Sequence, residues 1–230
     1  MAVLAEVMVD RRFRGPSDSG NGGYVAGCLA SFLDGPTEVT LRLPPPLGTA
    51  LQVSQSQSGG LELRSGEQLV ASAVRTELDL DPPTVSYEDA VRAARPVENH
   101  PYPMCFVCGP ERTDGLGILP GPVAGRELVA APWTPGHDLA VEREVLSQFV
   151  WAALDCPGGL AWIDAIAGQP FLLGRLAVKL TAPVIAGERH VALGWQSGRE
   201  GRKLFSGTAL LDMSGRVCGV GTATWILMQS

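Results

Sequence analysis

The chain has 230 residues, 45% of them hydrophobic and 18% charged, which is ample material for one or two compact domains. Its 18 Lys and Arg against 24 Asp and Glu leave a net charge of -6, which excludes the basic footprint of a nucleic-acid binder. No apolar run approaches a membrane span, and residues 1–6 lack the charged and long apolar regions of a signal peptide, so no membrane partner and a cytoplasmic location are expected.

The first informative stretch is 17–33, where a polar loop carrying Gly20, Asn21, Gly22 and Gly23 runs directly into apolar residues and reads as a helix start. The first N–H groups of a helix lack intrahelical partners and sit at the positive end of its dipole, so they favour an oxygen that carries or gains negative charge. Glycines there let a ligand carbonyl come within hydrogen-bond distance of the main chain. On this stretch alone the simpler reading comes first: Asn21 or Ser19 caps the helix and the glycines make the turn. Phosphate-binding fingerprints fail, because no Lys-Ser/Thr pair follows and no strand is evident in the polar run 14–19.

The helix should stop near Leu33, before Asp34, Gly35 and Pro36, and the pattern then alternates. Strands are predicted over 38–44, 51–57, 61–63 and 68–78, an antiparallel meander that Pro82 and Pro83 end. Residues 79–104 read as a connection containing a short helix over 86–95. Two strands, 117–119 and 126–131, precede a second apolar helix over 144–156, which Pro157, Gly158 and Gly159 interrupt; a shorter helical piece, 160–167, follows. The remaining strands are predicted over 171–182, 190–196, 203–212 and 217–227.

Five cysteines, an odd number, do not make a disulfide framework. Cys28, Cys156 and Cys218 fall in apolar contexts and read as small core residues. Cys105 and Cys108 have zinc-knuckle spacing, but a structural zinc site takes four ligands and no second pair is evident, His100 being the only nearby candidate. The expectation is therefore no metal and no disulfide at these two thiols, which form part of a turn into the second half.

The order of elements contains a repeat. Val39 to Gly48 followed by 51–55 can be laid over Leu176 to Val184, then Gly187 and 191–195. Each half is a helix plus a meander, about 1–95 and 96–230, and two such units side by side give an α+β protein of two helix-on-antiparallel-sheet halves with pseudo-twofold symmetry.

At this point the residues resemble the hotdog-fold acyl-CoA thioesterases, in a tandem or double hotdog version. Cys105, Phe106, Cys108, Gly109 and Pro110, then Gly115, Leu116 and Ile118, then Trp133, match the lead-in of single-domain members similar to the phenylacetic-acid-pathway thioesterases. In those members a His-Gly-Gly opens the helix and an Asp lies nine residues beyond the His. Here Asp155 matches the acid, but Leu146, Ser147 and Gln148 stand where the glycine pair would be. The first half is the mirror case: Asn21, Gly22 and Gly23 occupy the His-Gly-Gly position, and Ala30 stands where the acid would be. The resemblance therefore implies one composite site per chain, with a small-molecule acyl thioester as partner. It implies no cofactor, coenzyme A entering as part of the substrate.

Asp155 stands out without the family, because its helix is apolar nearly all round and an unpaired buried carboxylate is costly. Its bland reading is an acceptor for the Gly158 or Gly159 turn. In a thioester hydrolase Gly22 and Gly23 N–H would hold the carbonyl oxygen, Asp155 would act as base or nucleophile, and Asn21 would orient substrate or water. Ser147 and Gln148 on the same helix, with Tyr24 and Trp151, complete the expected substrate-binding set. Arg199, Arg202 and Lys203 are candidate cations for coenzyme A phosphates but read as readily as ordinary surface charge. Two other readings compete: a non-catalytic acyl or coenzyme A ligand-binding protein on the same fold, and a hydratase, which the absence of a helix-start Asp/His pair disfavours. Assembly into a homo-oligomer is left open.

Overall fold

The computed structural model describes residues 3–57 and 59–229. Strand β1 (Val3–Met8) leads through a single 3-10 turn, Arg11–Phe13, to helix α1 (Gly22–Ala30). Asn21 caps α1 with extended backbone, its Oδ1 accepting the Tyr24 N–H at 2.9 Å, which is the local interaction a Gly-Asn-Gly-Gly start favours. Strands β2 (Thr37–Leu41), β3 (Ala50–Gln55), β4 (Leu61–Ser65) and β5 (Gln68–Arg75) follow, within a few residues of their predicted ends. Helix α2 (Tyr87–Ala93) lies in the connection, capped by Ser86, whose Oγ accepts the Asp89 N–H. Then come β6 (Gly121–Pro122), β7 (Leu128–Trp133), the small hairpin β8 (Ala140–Val141) and β9 (Glu144–Val145), and helix α3 (Ser147–Leu160). Strands β10 (Phe171–Leu180), β11 (His190–Glu200), β12 (Lys203–Asp212) and β13 (Val217–Leu227) complete the described chain.

All strands except the β8–β9 hairpin form one antiparallel sheet in the order β1-β3-β4-β5-β2-β10-β13-β12-β11-β7-β6. Outward from the centre, β2-β5-β4-β3-β1 is matched by β10-β13-β12-β11-β7, the pseudo-twofold that the repeat implies. Across the central pair Val39 stands opposite Leu176, the two residues the sequence overlay superposes, and both are fully buried.

Helices α1 and α3 pack on one face of this sheet and against each other. Gly27 is what allows the close approach, since a Cβ there would stand 2.6 Å from the Gln148 Cα and 2.7 Å from the Trp151 Cβ. The opposite face of the second half is covered by the α2 segment. Along β12, Leu204 and Leu210 point to the main core while Ala209 and Leu211 join Val85, Ala90 and Ala93 in a separate cluster, as period-two alternation requires. No helix among the described residues is long and apolar enough to cross a membrane.

Four local expectations are corrected. Strand β1 was not predicted. Residues 117–119 are not a strand; the Ile118 N–H bonds the Val107 carbonyl, which lays this segment over the cysteine turn. Helix α3 begins at Ser147, residues 144–145 being β9, and it runs through Pro157 to Leu160; residues 161–168 are turns in place of the helical piece expected over 160–167. Pro157 removes one backbone donor, but the last turn is held from outside: Ser206 Oγ donates to the Gly158 carbonyl at 2.7 Å, and Gly194 on β11 has no Cβ to strike the Pro157 carbonyl.

Candidate active site

The start of α1 is fixed before any ligand is considered. Gly20 N–H bonds the Pro45 carbonyl and Asn21 N–H the Phe13 carbonyl, each at 2.8 Å, so the loop cannot swing away from the helix it opens. Opposite lies Asp155 in the third turn of α3, only 2% exposed. Its Oδ2 accepts the Gly23 N–H and the Asn21 Nδ2–H, both at 2.9 Å. Its Oδ1 is buried and has no hydrogen-bond partner among the described residues. Burial pushes the carboxyl up to about 7, the Gly23 N–H pulling the other way, the Cys105 thiol adding to the rise and the Asn21 amide opposing it.

The expected pair of glycine amides is thereby divided. Gly23 N–H is spent on Asp155, and a Cβ at Gly23 would stand 2.4 Å from the Asp155 Cβ, so this glycine serves the approach of the two helices. Gly22 N–H makes no hydrogen bond among the described residues, and Gly22 lines a cavity of about 220 Å³ at the helix start. A side chain at Gly22 would meet Leu173 Cδ2 at 2.9 Å and Leu41 Cδ1 at 3.0 Å, two of the apolar groups around that cavity. Pro45, Leu160, Phe171 and Trp225 line it too, with Asn21 and Asp155 on its polar side.

Asn21, Gly22, Gly23 and Asp155 are thus brought together from the two halves. Tyr24, Ser147, Gln148 and Trp151 are not among the residues lining the cavity. Tyr24 stacks on Phe13 at 4.3 Å between centroids and packs near Phe149, and burial raises its hydroxyl beyond the ordinary tyrosine range. Trp151 and Gln148 lie against Gly27 at the helix crossing.

Sequence reasoning did not foresee how the thiols gather. Phe106 N–H bonds the Arg14 carbonyl at 2.7 Å, which ties the cysteine turn to the loop before α1, and Cys105, Cys108 and Cys156 all line the same cavity. Asn21 Nδ2 lies 3.9 Å from both the Cys105 and Cys156 sulfurs. The helical position of Cys156, next to Asp155, was the available signal, but its meeting with Cys105 depends on tertiary register.

Two halves, each a helix laid on a curved antiparallel sheet and joined edge to edge into one sheet, define the tandem hotdog fold. The chain is similar over nearly its whole length to solved structures of this kind. The tesB protein of Mycobacterium avium subs paratuberculosis matches with a TM-score of 0.62 at 12% identity, covering 93% of this chain and 89% of that one. The acyl-CoA thioesterase II TesB2 of Mycobacterium marinum matches at 0.62 and 12%, covering 98% and 93%. A conserved protein with a hot dog fold from Alicyclobacillus acidocaldarius matches at 0.66 and 10%, covering 98% and 93%. No protein-family model matches the sequence, and no curated protein matches it.

Proposed function

We propose that this chain is a thioester hydrolase that cleaves an acyl-coenzyme A, or a related acyl thioester, at one composite site between its halves. The observation that carries this reading is the asymmetry of Asp155: one carboxylate oxygen is fixed by two donors, and the other, in the wall of an apolar cavity that also holds the Gly22 amide, has no partner among the described residues. Fixing Oδ2 orients Oδ1 without occupying it, which suits a general base.

In the proposed step the acyl group lies among Leu41, Phe171, Leu173 and Trp225, and its carbonyl oxygen accepts the Gly22 N–H at the positive end of α1. Asp155 Oδ1 takes a proton from water as the water oxygen bonds to the carbonyl carbon, and negative charge develops on the oxygen facing Gly22. Collapse of the tetrahedral intermediate breaks the carbon–sulfur bond, and the protonated Asp155 returns its proton to the leaving thiolate. Products are the carboxylic acid and the free thiol. The same four residues serve a ligand-binding protein if water is denied access to Oδ1, so turnover is the discriminating measurement.

The test is release of free coenzyme A from a panel of acyl-coenzyme A substrates, quantified by chromatography, alongside calorimetric binding. Asp155→Asn keeps the shape and both accepted hydrogen bonds, so kcat/KM is expected to fall by about a hundredfold or more while binding persists. An undiminished rate in that variant sinks the assignment of the base. Binding without turnover across the panel leaves the ligand-binding reading in place.

A further inference from the structure

Three thiols that the hydrolytic step does not use converge in the cavity wall. Cys105 and Cys108 come from one tight turn, closed by a Gly109 N–H bond to the Cys105 carbonyl at 2.9 Å; a Cβ on Gly109 would stand 2.5 Å from the Cys105 nitrogen and oxygen. Cys156 comes from α3. The three sulfurs all lie within 4.8 Å of one another, with Cys105 and Cys156 at 3.8 Å, and all three residues are buried and unbridged. Two thiolates on a tetrahedral zinc, each about 2.3 Å from the metal, stand about 3.8 Å apart, so one pair already has the required spacing.

Core cysteines that act only as small hydrophobes have no reason to gather from two separate segments, one of them a Cys-x-x-Cys-Gly turn. A further observation points to a ligand. In the same cavity wall two buried side-chain polar atoms, Asp155 Oδ1 and His100 Nε2, have no hydrogen-bond partner among the described residues. The expectation of no metal rested on a count of two thiols, and α3 supplies the third.

We propose that Cys105, Cys108 and Cys156 form a binding site for a thiolate-seeking d10 cation of the zinc(II) class, with three sulfur ligands and a fourth position open to the cavity. On binding, each thiol gives its proton to solvent and each sulfur donates a lone pair to the cation; nothing is oxidised or reduced. The open position faces the space that an acyl ligand would occupy, so cation and ligand compete. The site does not depend on the hydrolytic reading.

The test uses the full chain, reduced and stripped with chelator, titrated anaerobically with cobalt(II) as the spectroscopic probe and then with zinc(II). The expected result is one cobalt per chain, a sulfur-to-cobalt charge-transfer band with the visible bands of tetrahedral coordination, and their loss on adding zinc. Cys108→Ser and Cys156→Ala should each weaken binding by about a hundredfold or more, while Cys218→Ser should leave it unchanged. Absence of the charge-transfer band in the wild-type chain overturns the proposal, and that measurement decides even where a variant fails to fold. A band that survives both ligand substitutions, or that is lost in Cys218→Ser, overturns it equally.

Discussion

At the scale of single residues, Asp155 links stability to the proposed activity. Its folded carboxyl sits at about 7 against an ordinary value of 3.8, so the folded chain holds the proton more tightly than the unfolded one. Stability from this group is therefore complete below about pH 4 and is lost as pH rises to about 7, a loss on the order of 4 kcal/mol for a shift of about three pH units. Asp155→Asn cannot ionise yet still accepts from Gly23 and Asn21. Its melting temperature should match the wild type near pH 4 and exceed it at pH 8, and equal melting temperatures at both would refute the buried-charge account. The same titration should appear in catalysis: with chelator present, kcat/KM should rise about tenfold per pH unit below about 7 and level off above it, and a flat profile across that range would remove Asp155 as the base. Asp155 and Asn21 were legible in the sequence because each breaks a local pattern, a carboxylate in an apolar helix and an amide at a glycine-rich helix start. The use of Gly23 N–H by Asp155 was not legible, since it depends on how far apart two helices sit. Tyr24 and Trp151, expected in the substrate-binding set, have their large rings taken by Phe13 and by the crossing at Gly27.

At the scale of elements, residues that usually stop a helix do a different task in α3. Pro157, Gly158 and Gly159 looked like an end because only the local chain was visible. In the fold the last turn is pressed onto the sheet, where Gly158 accepts from Ser206 of β12 and a Cβ on Gly159 would stand 2.6 Å from Phe171 of β10. Gly194 completes this fit from the sheet side, where an added Cβ would stand 2.2 Å from the Pro157 carbonyl oxygen and 2.7 Å from the Gly158 nitrogen. Backbone atoms cannot yield as a side-chain tip would. Gly194→Ala should therefore cost about 1–3 kcal/mol, read as a lower urea midpoint at unchanged slope, and an unchanged midpoint would show that α3 is not seated there. Strands β12 and β13 were legible to the residue because a turn from Asp212 to Arg216 separates two alternating runs with buried faces. Strand β1 was not, because it lies at the sheet edge and none of its residues is fully buried, so its alternation is weak. Its counterpart β7 was predicted, and carrying the repeat one strand further would have found it.

At the scale of the whole molecule, the two halves share a sheet, a helix pair and the proposed site, and none of these is complete in either half alone. Val39 against Leu176 carries the sheet across the seam, and Asp155 of one half is held by Asn21 and Gly23 of the other. A chain joined in this way should unfold as one cooperative unit despite its internal repeat. The tryptophans allow a direct check, because Trp133, Trp151, Trp162, Trp195 and Trp225 all lie in the second half. Leu63, fully buried on β4, belongs to the first half and is separated from the seam by β5 and β2. Leu63→Ala should cost about 2–5 kcal/mol through the cavity it leaves. If the halves are thermodynamically one body, tryptophan fluorescence must register that loss in full, with a urea midpoint coincident with the one measured by far-ultraviolet circular dichroism. A fluorescence midpoint that stays at the wild-type value while the circular dichroism splits into two transitions would mean that each half folds on its own and that the proposed composite site is assembled by docking afterwards.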